Sequence, residues 1–214
     1  MTGIRYTLVA DGPSDKALIP ILTWLLRQHN PGTPIQPTWA DLSRVPQKPR
    51  SLIDKIRQSI DLYPSDILFV HRDAENQARE FRVREIKDAL ADLIPKPRSL
   101  RVVPVRMQEA WLLFDETAIR QAVGNPNGRV LLTLPQLHRV EGLPDPKQVL
   151  HQLIKLASGL NRRRLKKLSL SSCAIRVADY IGDFSPLRSL AAFQALETEV
   201  ILLAQNAALI EDED

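Results

Sequence analysis

Short runs of β-forming apolar residues recur along the chain, each followed by a stretch with helical spacing of its apolar positions. Ile4–Ala10 (IRYTLVA), Pro34–Trp39, Ile67–Val70 (ILFV) and Leu100–Val105 read as strands. A helix from Ser14 to about Gln28 follows the first, closed by Asn30-Pro31-Gly32. Leu52, Ile53, Ile56, Ile60 and Tyr63 mark a second helix over Ser51–Leu62, and Ala78, Phe81, Ile86, Leu90 and Leu93 a third. Met107–Val123 reads as a fourth, ended by Gly124-Asn125-Pro126. This alternation predicts an α/β fold: a Rossmann-like, mainly parallel sheet with helices on both faces. Functional groups in such sheets collect beyond the carboxyl ends of the strands.

The second half changes character. Residues 124–145 read as loop, and Asp145-Pro146 starts a helix that Gly159 closes. Ser172–Ile181 is a shorter helix. Ser185-Pro186 opens another, carrying Leu187, Leu190, Phe193, Leu196, Val200 and Leu203. The expected organisation is an α/β core over 1–124, a helical extension over 125–210 packed on it, and an acidic tail over 211–214.

Acids stand at three strand ends. Asp11 follows the first strand with Asp15 close behind, His71-Arg72-Asp73-Ala74-Glu75 follows the third, and Arg106-Met107-Gln108-Glu109 the fourth. In a parallel sheet Asp11, Asp73, Glu75 and Glu109 share one edge, where their repulsion calls for protons or a cation. Oxygen donors suit Mg²⁺, which can polarise a phosphoryl oxygen and activate water. Taken singly, acids at strand ends and in first helical turns are also ordinary capping groups. Asp15 and Ser14 read mainly as helix-starting residues, His71 as a core or loop histidine, and Asp115 as a structural hydrogen-bonding group. Trp111, Leu112 and Leu113 read as core. Neither G-x-x-x-x-G-K-[ST] nor G-x-G-x-x-G occurs.

Charge adds a second theme. The net charge of +4 becomes +8 over residues 1–210 once the acids Glu211–Asp214 are set aside. Within NRRRLKKL, Arg162, Arg163, Arg164, Lys166 and Lys167 form a basic cluster suited to nucleic-acid phosphates. No aromatic residue interleaves them, so a solvated connector is the competing reading. Arg79, Arg82, Arg84 and Lys87 could extend a positive surface towards the acids. Cys173 is the single cysteine, which rules out an intrachain disulfide and points to a reducing, cytoplasmic setting. No secretory signal is apparent. The apolar run Ala17–Leu26 is too short to span a bilayer.

VADGPSDKALIP and FVHRDAEN resemble the two acidic motifs of Toprim (topoisomerase–primase and OLD-type nuclease) domains. MQEAWLLFDETAIRQAVGNP and LPDPKQVL resemble a bacterial Toprim-like family of uncharacterised function, with a Glu-Ala-Trp-Leu-Leu-x-Asp segment and frequent encoding beside an AAA- or ABC-type ATPase. The resemblance implies a Mg²⁺- or Mn²⁺-dependent nuclease, and with it the nuclease half of an ATPase-coupled defence against foreign DNA. Residue by residue it gives Asp11 the role of general acid/base, and makes Asp73 and Glu75 metal ligands. Glu109, at the same edge, is a further candidate ligand. The chain departs from the pattern at Asp11, where Glu is expected, and at Glu75, where Asp is expected. These departures favour an alternative: a catalytically weakened module that binds an ATPase partner or nucleic acid.

Overall fold

The computed structural model describes residues 3–211, without the side chains beyond Gln205; the last acids of the tail, 212–214, lie outside the described residues. Four strands, β1 (Ile4–Val9), β2 (Ile35–Trp39), β3 (Ile67–His71) and β4 (Ser99–Val102), form one sheet in the order β2-β1-β3-β4. Every pairing is parallel, with Leu8 opposite Trp39 and Phe69, and His71 opposite Val102. The α/β class and parallel sheet expected from the alternating pattern are therefore present.

The sheet is covered on both faces. On one, Tyr6, Leu8, Phe69 and Val102 pack against α1 (Leu18–His29) and the helices of the second half. On the other, Val9, Leu68 and Val70 pack against Ile56 of α2 (Leu52–Leu62) and Ile86 and Leu90 of α3 (Arg79–Ala91). Burial on both faces explains why β3 reads as a continuous apolar run instead of alternating. With this strand order the chain steps outwards from β1 to β2 and in the opposite direction from β3 to β4. The reversal falls between the ends of β1 and β3, the place where open α/β sheets bind ligands.

Local chemistry shifts several boundaries. The first helix does not start at Ser14: Pro13–Ala17 is a 3₁₀ turn, and α1 begins at Leu18. The stretch Met107–Val123 is not one helix. A 3₁₀ turn over Gln108–Leu112 is separated from α4 (Glu116–Ala122) by a new start, where Asp115 Oδ1 accepts the Ala118 N–H at 2.9 Å. Asp115 is thus a helix cap. Residues 124–145, expected as loop, include a 3₁₀ turn over Leu137–Gly142. α5 (Pro146–Ser158) begins on the Asp145 cap and ends at Gly159 in the left-handed conformation, φ 60°. α6 (Arg162–Leu165) is a single turn, followed by α7 (Leu170–Tyr180). Ser185-Pro186 opens only a 3₁₀ turn, Ser185–Ser189, before α8 (Ala191–Glu211) begins.

Both sheet edges carry a distinguishing residue. Ala40 N donates to Leu8 O, so alternation points position 37 of β2 outwards, and that position is proline. On β4, Arg101 N donates outwards to Glu199 Oε2 of α8 at 3.0 Å, and the Arg101 guanidinium grips the same carboxylate at 2.8 Å. Among the described residues, no helix is long and apolar enough to cross a membrane.

Candidate functional site

Three loops meet at the carboxyl edge. After β1, the chain turns at Gly12-Pro13, and the Asp15 carboxylate folds back to accept the Gly12 N–H at 2.9 Å. This closes the 3₁₀ turn and buries Asp15, which is only 6% exposed. After β3 and β4, the loops hold each other: Glu75 N donates to Arg106 O at 2.8 Å, with both residues at positive φ (53° and 62°). The Arg106 guanidinium also reaches the Asn76 side chain. Left-handed backbone at two non-glycine residues is uncommon, and here each loop stabilises the other in it.

Gln108 joins the three loops. Its backbone N–H donates to Asp73 Oδ1 at 2.9 Å, and its side-chain amide donates to Asp15 Oδ1 at 2.8 Å. Its own carbonyl oxygen, Oε1, is buried without a partner. Glu109, next in sequence and 3% exposed, meets Lys147 Nζ of α5 at 3.1 Å. His71 is buried at the end of β3. Its Nδ1 faces Val102 O at 2.9 Å, which makes Nδ1 the protonated nitrogen, and its Nε2 lies 3.5 Å from Asp73 Oδ1.

The electrostatics follow from this crowding. Burial raises the Asp73 carboxyl to about 6; the Glu109 and Asp15 charges add to the rise, and His71 and the Gln108 N–H oppose it. Burial works against the Lys147 ammonium, but Glu109, Asp73 and Asp15 together outweigh it and hold it above the usual lysine range. One turn along α5, burial lowers His151, with Glu109 opposing, and its Nε2 is buried without a partner. Asp15, Asp73 and Glu109 therefore share one electrostatic environment, facing Lys147.

The residues singled out in the sequence divide between this cluster and its surroundings. Asp73 and Glu109 lie in it. Asp11 is at the same edge but turned outwards, 2.7 Å from Lys55 Nζ and 3.4 Å from Arg72 Nε. Burial pushes the Asp11 carboxyl up, but Lys55, Arg72 and His71 outweigh it and hold it below the ordinary value. Glu75 projects to solvent beside Arg82, 3.5 Å away, because the left-handed backbone at residue 75 turns it from Asp73. Arg162, Arg163, Arg164, Lys166 and Lys167 are all exposed on and just after α6.

Asp15, Gln108, Lys147 and His151 belong to the arrangement without having been expected there. Asp15 does start the turn, as its position suggests, yet the same carboxylate faces Gln108. Among the described residues, no three His, Cys, Asp or Glu side chains are gathered as a ready-made ion cage. No protein-family model matches the chain, and no curated protein or solved structure is significantly similar to it.

Proposed function

We propose that this edge is a metal-dependent phosphoryl-transfer site and that the protein cleaves phosphodiester bonds in nucleic acid. The observation that carries the reading is the gathering of Asp73 and Asp15 on Gln108, with Glu109 beside them on Lys147, which leaves the Asp73 carboxyl raised to about 6. Such a group gains most from an added positive charge. The oxygen donors suit a hard cation in kind (the Asp73, Glu109 and Asp15 carboxylates and the orphaned Gln108 Oε1), although they are not gathered as a ready-made cage and would have to close around the ion. An open set of this kind suits Mg²⁺ or Mn²⁺, which keeps waters and is completed by substrate phosphate. When bound, the ion would polarise a phosphoryl oxygen and lower the pKa of a water.

The chain's own residues have separable parts. Asp73 and Glu109 would hold the cation, and Lys147 would balance the cluster's charge without it. Gln108 fixes Asp73 and Asp15 in register. His71 keeps one nitrogen on the Val102 carbonyl and turns the other towards Asp73, 3.5 Å away. Asp11, held ionised by Lys55 and Arg72, can accept a proton at the lip of the site but is a poor donor. Glu75 reaches the cluster only by leaving Arg82. The resemblance to Toprim nucleases supports the same reaction class. It alone suggests an ATPase partner and a role against foreign DNA. Arg162, Arg163, Arg164, Lys166 and Lys167 would contribute long-range attraction for the polyanion. The lone cysteine supports a cytoplasmic setting.

The second reading, a binding module without catalysis, is favoured by one contact. Lys147 already neutralises Glu109 at 3.1 Å, which lessens the need for a metal. Mn²⁺ titration by calorimetry, paired with cleavage of labelled single- and double-stranded DNA and RNA, decides between them. Wild type should bind Mn²⁺ and cleave at least one substrate. Asp73→Asn should lose metal binding and reduce cleavage on the order of a hundredfold or more. Wild type that binds nucleic acid but neither Mn²⁺ nor Mg²⁺ would sink the nuclease reading and leave the module.

A further inference from the structure

A cavity of about 260 Å³ lies beside this edge, between the turn after β1 and the irregular segment that follows β2. Its apolar walls include Pro13, Trp39, Leu42 and Pro49, and its polar walls Asp11, Asp41, Lys48 and Lys55. We propose that this cavity binds one nucleotide of a single-stranded nucleic acid, the base against Trp39 and the phosphate on Lys48, with Lys55 remaining on Asp11. The inference rests on the nuclease reading for what becomes of that strand, but the binding it describes needs no metal.

Trp39 is the first argument. It closes β2 and lines the cavity, between the apolar Pro13 and Leu42 walls. The ring also offers a stacking surface, worth about 1–3 kcal/mol per base when such a residue is truncated. Lys16 Nζ covers one face of the ring, 4.2 Å from its centroid, so a base is received on the opposite side. The volume is just under the usual small-ligand range, so the space suits a single nucleotide and little more.

Continuity is the second argument, and it selects a polymer over a free nucleotide. Lys48 and Pro49 also line a larger open groove of about 890 Å³, whose other walls include Arg50 and Arg57. Cations therefore run from Lys55 through Lys48 to Arg50 and Arg57, leading away from Asp11. Asp54 is the acid of that second groove; its backbone N–H meets Ser51 Oγ at 3.2 Å, and its carboxylate is held by the same serine. A strand whose base sits against Trp39 would have its phosphates on this path and its backbone beside the acidic edge. The arrangement of aromatic platform and cationic groove is what sequence-tolerant single-strand binding requires.

The test uses the full chain in EDTA, so that cleavage and metal play no part. A fluorescein-labelled ten-nucleotide oligo-dT should raise anisotropy on binding and quench tryptophan emission. Trp39→Phe should abolish most of the quench. Lys48→Glu, on an irregular surface segment where folding is not at stake, should weaken binding tenfold or more, as should Trp39→Ala if its circular dichroism is native. Binding should weaken steeply with salt. Unchanged affinity in Lys48→Glu and folded Trp39→Ala would overturn the proposal, even if metal-dependent cleavage is found. Thymidine monophosphate competing as well as the oligonucleotide would assign the cavity to free nucleotides and overturn the polymer. Conversely, oligonucleotide binding that needs Trp39 and Lys48 stands even if no metal supports cleavage.

Discussion

Asp73 shows how one side chain carries both a cost and a use. At about 6, against 3.8 for an ordinary aspartate, it binds a proton more tightly in the folded chain than in the unfolded one. Between about pH 4 and 6 the folded state therefore holds more protons, so stability falls as pH rises through that window, and the loss is complete above it. At about 1.4 kcal/mol per pH unit, the penalty at neutral pH is on the order of 3 kcal/mol. Asparagine keeps the oxygen that accepts the Gln108 N–H and removes the charge. Asp73→Asn should then raise the midpoint of thermal unfolding at pH 7.5 by about 5 °C or more in low-salt EDTA. It should also flatten the dependence on pH between 4 and 6. Destabilisation at both ends of that range would show instead that Asp73 is a structural acceptor for Gln108 and His71, with no cost to relieve. Which acid enters the cluster was not legible from spacing. Asp11 and Asp15 are one helical turn apart, and the choice between them depends on Pro13–Ala17 adopting a 3₁₀ turn that points Asp15 inwards.

At the scale of elements, α5 matters most, because it brings Lys147 and His151 to acids that lie far earlier in the chain. Its direction is fixed at both ends, by the Asp145 cap (2.8 Å to Gln148 N) and by Gly159 in the left-handed region. A side chain at Gly159 would suffer the left-handed penalty and meet Asn125 Nδ2 at 3.4 Å, the group that donates to Ala157 O. Gly159→Ala should cost about 1–2 kcal/mol, and Gly159→Asn less, in urea unfolding. An alanine variant as stable as wild type would mean that the helix end relaxes freely. These ends were legible in the sequence because Asp-Pro and Gly act through local backbone chemistry. β1, β3 and β4 were legible for a similar reason, as short runs with apolar positions bounded by turn residues, whereas β2 (IQPTW) is mostly exposed and was marked chiefly by the turns around it. The break between Leu112 and Glu116 was not, because Trp111, Leu112 and Leu113 are all fully buried, and continuous burial hides helical period. Lys147 was invisible as a site residue because no local pattern marks a lysine in the first turn of a helix as facing a distant glutamate.

Across the whole molecule, the second half completes the core of the first. Trp111 meets Phe193 edge-on with ring centroids 5.5 Å apart, and Trp24 meets Phe184 at 6.1 Å. Cys173, Val177 and Ile154 lie in the same apolar cluster as Tyr6 and Phe69. A chain ended after Val123 would expose that face, so it should lack a cooperative thermal transition and bind a hydrophobic dye. The full chain should unfold in one calorimetric step with matching calorimetric and van't Hoff enthalpies. A sharp transition in the shortened chain would show that the strands and α1–α4 suffice. The two margins of the sheet have a consequence of another kind. Proline at position 37 has no N–H to offer at one border, and Glu199 occupies the N–H of Arg101 at the other. A neighbouring chain that tried to extend the sheet would find its first bonds missing on one side and already taken on the other. Both borders are thereby blunted against edge-to-edge extension of the sheet, which leaves helices and loops as the surfaces that a second copy would meet.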